Sequence, residues 1–293
     1  MKIIILTGQT ATGKTTRAEK LANNLNGEIV NFDSRHVYRH LNIVTGKYET
    51  PTSIFAAGLK IKNWMFDIVE PDEYFSSFDY KVMVMPIIES ILKRGKIPIL
   101  VGGSYFYLKH LLYGIVTENI PADPLLRQKL NKESVTKLQA ILKKINPKLY
   151  QALNESDNKN PQRLIRKIEI SLNKQKNLNK TPVVSLFNLK NVSVSIEGYK
   201  FKSKESLKRA ITERVDKRLK MGALDEVRSL LKNGFSIKDP GLKTIGYPQL
   251  IAYLDGKIEL EEAKADWINK EIQYAKRQLT FMKKDSNINW QSI

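Results

Sequence analysis

Cysteine is missing from this 293-residue chain, and several kinds of site are excluded with it. Without thiols there are no disulfides, no thiolate zinc sites and no cysteine nucleophile, a pattern that fits a reducing cytoplasm. Long apolar runs are missing too, since none approaches the roughly 20 residues that span a bilayer. The opening run MKIIIL is short and leads into a glycine-rich turn, so it is typical of a buried strand rather than a signal peptide. We therefore expect a cytoplasmic protein with no membrane segment.

Acidic residues are scarce, and the formal net charge is +19. The excess is uneven: residues 120–199 hold 15 Lys and Arg against 6 Asp and Glu, whereas residues 1–119 hold 14 against 11. A polyanion such as RNA would bind a surface of this kind with release of counterions. A lysine-rich solvated surface has the same composition, so charge alone leaves both interpretations open.

Strand and helix patterns alternate through the first 119 residues. Short apolar runs predict strands at residues 2–7, 28–32, 64–69 and 96–101, and helical spacing predicts helices at 14–25 and 76–94. Strands that alternate with helices imply a mostly parallel sheet covered on both faces.

The following segment has a different character. Residues 123–175 are basic and helical in pattern, and the alternating Val192, Val194 and Ile196 then predict a strand that rejoins the sheet. Further helices are predicted at 204–221, 223–231 and 259–284. The sequence therefore predicts a P-loop-like α/β core over residues 1–119 and 192–293, with a helical C-terminal part and a basic helical insertion domain at 120–191.

A phosphate-binding motif follows the first predicted strand. Residues 8–15 (GQTATGKT) match G-x4-G-K-[ST] between a buried strand and a helix, which is the context the motif requires. Backbone N–H groups and the helix N-terminus form a cradle for phosphates. In it Lys14 contacts terminal phosphates and the Thr15 hydroxyl is a candidate Mg²⁺ ligand. The motif indicates a phosphorylated ligand without deciding between a nucleotide and another diphosphate.

Two polar side chains end later strands. Asp33 follows the second predicted strand and Ser104 follows a later one, after Gly102 and Gly103. Ligands of open α/β sheets bind at the carboxyl edge of the strands, so both side chains can face the cradle. Asp33 by itself is equally compatible with a metal ligand, a general base and a helix N-cap.

Successive blocks of the chain resemble the tRNA dimethylallyltransferase family of the bacterial type. The blocks occur in the family order and cover nearly the whole chain: GQTATGKT, DSRHVYRHLNIVTGK, FDIVEPDEYFS, ILVGGSYFYLKHLL, PADPLLR, NPQRLIRKIEI, ITERVDKRL, KTIGYPQLIAYLDG and QYAKRQLTFMKK. The blocks NPQRLIRKIEI and QYAKRQLTF are specific to the family and are not general P-loop features.

The resemblance implies transfer of a dimethylallyl group from dimethylallyl diphosphate to N6 of the adenosine immediately 3′ of the tRNA anticodon. It implies Mg²⁺ as cofactor, an A-A-A context in the anticodon stem-loop, and a monomer. Asp33 would accept the N6 proton, Ser104 would hydrogen-bond the bridging oxygen of the diphosphate, and Arg214 would neutralise the leaving group. The diphosphate would lie in the loop formed by Gly8, Gln9, Thr10, Ala11, Thr12, Gly13, Lys14, Thr15 and Thr16.

The resemblance also marks positions that touch tRNA. They are Asp33, Ser34, Arg35, His36, Ser104, Arg127, Gln162, Arg163, Arg166, Gln273, Lys276, Arg277 and Gln278. Three departures from the family pattern concern this set: Arg35-His36 stands for Met-Gln, Ser104 stands for Thr, and Tyr105-Phe106 stands for a Gly-Leu-like pair. A flipped target base would fit such a site, with the basic insertion holding the stem by phosphate contacts.

Three other functions share part of the pattern. A P-loop small-molecule kinase shares the phosphate motif and the α/β core, but the blocks NPQRLIRKIEI and QYAKRQLTF have no role there. An adenylate isopentenyltransferase would not need the basic insertion. A catalytically inactive RNA-binding protein would not need Lys14, Thr15, Asp33, Ser104 and Arg214 together.

Overall fold

A computed structural model describes residues 1–47, 61–114, 117, 120, 122–174 and 184–293 of the chain. They form two compact units: Met1–Tyr113 with Ser185–Ile293, and Gly114–Val184. The second unit begins and ends a few residues before the insertion predicted at 120–191. The later boundary differs because Leu186 and Leu189 pack in the core of the first unit.

A six-stranded sheet organises the first unit, and every neighbouring pair of strands in it is parallel. Its strands in chain order are β1 (Lys2–Gly8), β2 (Gly27–Asn31), β3 (Asn63–Trp64), β4 (Ile97–Val101), β5 (Ser193–Lys200) and β6 (Ile288–Ser292). Their spatial order is β3-β2-β4-β1-β5-β6. The predicted parallel α/β core is confirmed, and the strand predicted around Val194 joins the sheet beside β1.

Helices follow most of the strands in the sequence of the first unit. They are α1 (Lys14–Asn24), α2 (Ser77–Lys93), α3 (Tyr105–Tyr113), α9 (Lys204–Lys220), α10 (Ala223–Lys232), α11 (Tyr247–Leu254) and α12 (Leu260–Met282), where the numbers α4 to α8 belong to the second unit. Successive side chains of β1 point to opposite faces of the sheet. Accordingly, Ile3 and Ile5 pack in one buried cluster, whereas Ile4 and Leu6 pack in another with Ala18 of α1.

The structure departs from the predicted elements at β3. A strand is predicted at 64–69, but β3 covers only two residues, because Met65 and Asp67 adopt positive φ angles of 66° and 52°. Such left-handed backbone breaks an extended strand. Three elements are absent from the sequence prediction: α3, α11 and the edge strand β6, whose sole buried residue is Ile288.

The second unit is helical in the part that the structure describes. Its helices are α4 (Pro124–Leu130), α5 (Val135–Ile145), α6 (Pro147–Gln151), α7 (Glu155–Asn158) and α8 (Pro161–Lys174). Leu138 and Leu142 of α5 share a buried cluster with Leu164 and Ile168 of α8, and in each pair the spacing of four residues places both side chains on one helix face. In neither unit does a helix of the described ranges have both the length and the apolar content that a membrane span needs.

Candidate active site

Three loops of the first unit meet at the carboxyl edge of its sheet. β2, β4 and β1 are consecutive in the sheet, and each is followed by one of the predicted site segments. The phosphate loop follows β1, Asp33 comes two residues after β2, and Ser104 comes three residues after β4. Sheet topology thus brings together segments that are far apart in sequence, as expected for a ligand site of this fold class.

The base of the phosphate loop is fixed by backbone contacts to β5. Gly8 has a φ of 115°, and a Cβ on it would lie 2.1 Å from the carbonyl oxygen of Tyr199, so this position requires glycine. Gln9 is buried; its side chain accepts from the Phe201 amide at 2.9 Å and donates to the Ala275 carbonyl at 3.3 Å. These two residues therefore anchor the loop, and residues 10–16 line the adjoining cavity.

A cavity of about 640 Å³ lies over this loop. Its wall contains most of the predicted catalytic and diphosphate-binding residues, namely Thr10, Ala11, Thr12, Gly13, Lys14, Thr15, Thr16, Asp33 and Arg214, and also His36, which was predicted to contact tRNA. Its volume falls in the ordinary range of ligand pockets.

Two cations of the cavity wall are directed at the phosphate loop. The Lys14 ammonium donates to the carbonyls of Gly8 and Gln9. Arg214 of α9 donates through Nη1 to the Thr10 hydroxyl at 2.8 Å. Motif spacing places Lys14 here, but Arg214 arrives from a helix about two hundred residues later. The cradle thus combines backbone amides with two positive side chains, which is a suitable environment for a diphosphate.

Asp33 is one of three acidic residues in the cavity wall, with Glu19 and Glu213, and is the one predicted from the sequence. The Asp33 amide donates to the side-chain oxygen of Asn31 at 2.8 Å. The Asp33 carboxylate accepts the Arg35 amide at 2.9 Å. Burial raises the pKa of Asp33, but the neighbouring His36, the Arg35 amide and charge, and Lys14 together lower it by more. The pKa therefore lies below the ordinary carboxyl value, and Asp33 is a carboxylate at neutral pH.

Ser104 bonds to the loop of Asp33 rather than to the phosphate loop. Its hydroxyl oxygen accepts the Ser34 amide at 2.8 Å and donates to the Ser34 hydroxyl at 3.0 Å. Among the described residues, the cavity wall is formed without Ser34, Arg35 or Ser104. Tyr105 is directed elsewhere too, because its hydroxyl donates to Asp285 at 3.0 Å. The predicted contact of Ser104 with a diphosphate stays a prediction.

One face of α12 packs against the loops that form the site. Glu271 pairs with the buried Arg218, the Ala275 carbonyl accepts Gln9, and Met282 accepts the Thr7 hydroxyl. Between them Gln278 contacts the phosphate loop and the Gly103 turn. These four positions follow helical spacing and so lie on one face. The helical spacing of these four positions can be recognised in the sequence. The residues that they contact cannot.

Lys47 is a cavity residue that the sequence analysis did not select. Its side chain is fully buried; the ammonium pairs with Asp67 and donates to the Tyr38 carbonyl. Burial lowers the pKa of Lys47, while Asp67 acts against that shift. Other lining residues without a sequence prediction are Glu19, Phe66, Glu213 and Lys217. The ring of Phe66 is stacked on His36 with centroids 6.1 Å apart.

Apart from residues 33–36 and Ser104, the positions predicted to contact tRNA fall into two sets. On α12, Gln273, Lys276 and Arg277 are exposed, whereas Gln278 is buried. In the second unit, Gln162 is exposed and Arg163 pairs with Asp157 at 2.7 Å.

Arg127 and Arg166 of the second unit both pair with the carboxylate of Glu169, at 2.7 and 3.1 Å. The Glu169 side chain is fully buried. Burial raises the pKa of Glu169, but the bonds from Arg127, the Asp123 amide and Arg166 lower it by more. These two arginines therefore have a structural role in this unit, whatever their contact with RNA.

The described residues contain no group of three or more His, Asp or Glu side chains that could hold a metal ion. Thr15 nevertheless lines the cavity. Its hydroxyl fits a Mg²⁺ ion that takes most of its ligands from a diphosphate and water.

Comparisons with known proteins agree with one family. The family model described as IPP transferase matches residues 36–285. The tRNA dimethylallyltransferase of Pelotomaculum thermopropionicum is 34% identical, over 99% of this chain and 90% of that protein. The crystal structure of the tRNA isopentenylpyrophosphate transferase from Bacillus halodurans is 32% identical with a TM-score of 0.69, covering 99% of this chain and 89% of that one. The corresponding structure from Staphylococcus epidermidis is 31% identical with a TM-score of 0.68, covering 99% and 92%. Because the family model matches most of the chain and these relatives are at least 31% identical over 99% of it, this chain belongs to the IPP transferase family.

Proposed function

We propose that this chain transfers a dimethylallyl group from dimethylallyl diphosphate to N6 of the adenosine that follows the anticodon in tRNA. The observation that carries the proposal is one cavity in which Lys14 and Arg214 flank a phosphate loop while Asp33 supplies a carboxylate. Relatives that carry the name tRNA dimethylallyltransferase support the same reaction.

The cradle stabilises the leaving group of this reaction. The bond between C1 of the allyl group and the diphosphate oxygen breaks, and the electron pair leaves with the oxygen. The developing charge is met by the loop amides, by Lys14 and by Arg214, which is already directed at the loop through Thr10. Donors held in place before the reaction stabilise such charge without a cost of reorganisation.

Asp33 acts on the acceptor. As the N6–C1 bond forms, the exocyclic amine becomes acidic, and a carboxylate aligned with its N–H accepts the proton. The lowered pKa of Asp33 keeps it in the required basic form at neutral pH. A target adenine must leave its stack to reach such a cavity, as in other enzymes that act on a base.

Mg²⁺ is the proposed cofactor. Thr15 would hold it beside the diphosphate, and the ion would supply charge neutralisation at the phosphate oxygens.

Acceptor binding is proposed to involve two exposed surfaces, each described within its own unit. On α12 these are Gln273, Lys276 and Arg277. In the second unit the basic side chains among residues 120–184 offer contacts to the phosphates of an anticodon stem-loop. The proposed acceptor context is A-A-A, and the proposed enzyme is a monomer.

The test is a transfer assay with purified protein, Mg²⁺ and labelled dimethylallyl diphosphate. The acceptors are a stem-loop with A-A-A across the last anticodon base and the next two, the same loop with the target A replaced by G, and free AMP. The proposal expects label on the first loop alone. Label on AMP would instead identify an adenylate isopentenyltransferase. ATP-dependent phosphorylation of a metabolite, with no labelled acceptor, would identify a kinase.

A further inference from the structure

Gln278 connects two of the three loops that form the site. It lies on α12 with 5% of its surface exposed. Its amide oxygen accepts the Thr10 N–H at 2.8 Å, and its amide nitrogen donates to the Gly103 carbonyl at 2.9 Å. One side chain therefore fixes the main chain of the phosphate loop relative to the turn that precedes Ser104.

The junction around Gln278 is tightly packed. A Cβ on Gly103 would lie 2.3 Å from Nε2 of Gln278 and 3.5 Å from Oδ2 of Asp33. A side chain at position 103 would displace the Gln278 amide, and the Asp33 carboxylate lies at van der Waals distance, so the Gly103 turn, Gln278 and that carboxylate are packed together. Thr10 is also held from a second direction, because its hydroxyl accepts Arg214 at 2.8 Å. A small displacement of Gln278 would thus be transmitted to Thr10 and, through packing, to Asp33.

α12 presents a second face to solvent. Gln273, Lys276 and Arg277 are exposed, and Arg277 is the residue immediately before Gln278. A nucleic acid bound by these side chains would restrain the helix whose opposite face holds the phosphate loop. When nucleic acid restrains one face of the helix, the hydrogen bonds that Gln278 makes on the opposite face are restrained as well.

We propose that Gln278 is a positioning residue that couples binding of the nucleic-acid acceptor on the exposed face of α12 to the geometry of the diphosphate cradle. This inference rests on the proposed function. Gln278 does not touch the reacting atoms; it acts through Thr10 and Gly103. Because a coupling free energy is reciprocal, the acceptor strengthens binding of the donor by the same factor as the donor strengthens binding of the acceptor.

Two variants separate the contributions of the amide. Gln278→Met keeps the length of the side chain and removes both hydrogen bonds. Gln278→Glu keeps an oxygen for the Thr10 N–H but loses the donor and places negative charge against the Gly103 carbonyl. Gln249→Met is the matched control, because Gln249 is equally a buried glutamine; it bonds to the Gly246 amide and to Asp266.

The experiment measures binding of unreactive dimethylallyl thiolodiphosphate to the full chain by calorimetry, with and without the A-A-A stem-loop. We expect the stem-loop to tighten donor binding about tenfold in the wild-type protein, within the usual range of coupling between sites. In Gln278→Met the factor should fall to about one, with the affinity for the stem-loop alone unchanged. Gln278→Glu should show an intermediate factor. Gln249→Met should lower the melting temperature and retain the tenfold factor.

Three results would overturn the inference. They are wild-type coupling in both Gln278 variants, no coupling in the wild-type protein, or an equal loss in Gln249→Met, which would indicate general loosening of the fold. If Gln278→Met fails to fold, the factor in Gln278→Glu decides. A wild-type protein that transfers the label without coupling contradicts only this inference, whereas a protein that labels no acceptor contradicts the proposed function itself.

Discussion

The sequence predicts basic side chains that contact a ligand in both units of this protein, but the structure places the two sets in different surroundings. In the first unit, Lys14 and Arg214 line a cavity and are directed at a loop built to hold phosphates. In the second, Arg127 and Arg166 turn their guanidinium groups onto a fully buried carboxylate, Glu169. The surroundings of a basic side chain, and not its charge alone, therefore distinguish a cation that faces a ligand cavity from one that stabilises the fold.

Because of this difference, we assign different functions to the two units. The first unit is expected to determine the rate of transfer, because its cations lie beside the reacting groups. The second unit is expected to determine affinity for the acceptor, through exposed lysines such as Lys143 and Lys144. Substitutions in the two units should therefore change different kinetic constants.

Among substitutions of the basic residues, the largest effect is expected for Lys14→Met. Removal of one preorganised positive group from a developing oxyanion costs roughly 10²- to 10³-fold in kcat. Lys20→Met is the matched control, because Lys20 lies exposed on the same helix. Single-turnover transfer to the stem-loop measures both variants. Equal rates for the two would remove the distinction between cradle cations and surface cations.

Glu169→Gln should act on stability and not on chemistry. Breaking a buried ion pair costs roughly 3 kcal/mol, here in the free energy of unfolding of the second unit. Hydrogen exchange should show faster exchange in α8 and unchanged protection in β1. The control is Glu155→Gln, whose pair with Lys159 is exposed and contributes about 0–1 kcal/mol.

The stabilisation by Glu169 should also depend on pH. Its pKa is lowered in the folded protein, so its contribution is complete above the ordinary carboxyl pKa of about 4 and is lost as the pH falls through the lower folded value. Protection of α8 that does not respond to acid, or to Glu169→Gln, would show that the arginines are not held by this carboxylate.

The smallest effect is expected for the double variant Lys143→Gln with Lys144→Gln. Loss of two phosphate contacts should weaken stem-loop binding severalfold and reduce the slope of log affinity against log salt by about 2. The value of kcat should stay unchanged. Lys232→Gln, an exposed lysine of the first unit, should leave the salt slope as it is. A change in kcat for the double variant would end the proposed division between the units.

Some of the site could be predicted because the requirement is local. The spacing of Gly8, Gly13 and Lys14 between a strand and a helix defines the cradle, and the position of Asp33 after β2 follows from the parallel sheet. The bonds that fix these groups could not be predicted in this way. Gln278 is 268 residues from Thr10, and nothing in either local pattern names the other.

Glu226 shows the same limit. Its carboxylate accepts the amides of Asn42, Ile43 and Val44 and the hydroxyl of Tyr247. It thereby holds the loop that carries Thr45 and other lining residues into the cavity wall. In the sequence Glu226 is one of two acidic residues in the first turn of α10, which also fits favourable interaction with the helix dipole. Only the packing of the loop against that helix distinguishes the two roles.

The central claim is that the Asp33 carboxylate accepts the N6 proton during transfer. The variant Asp33→Asn tests this claim most directly. Stem-loop affinity and the single-turnover rate are measured on the same protein. We predict an affinity close to that of the wild type, since phosphate contacts dominate it, and a rate lower by roughly 10²- to 10⁴-fold. The acid limb of the wild-type rate should lie below the ordinary carboxyl pKa of about 4, because the pKa of Asp33 is lowered. Transfer by Asp33→Asn at the wild-type rate would contradict the account.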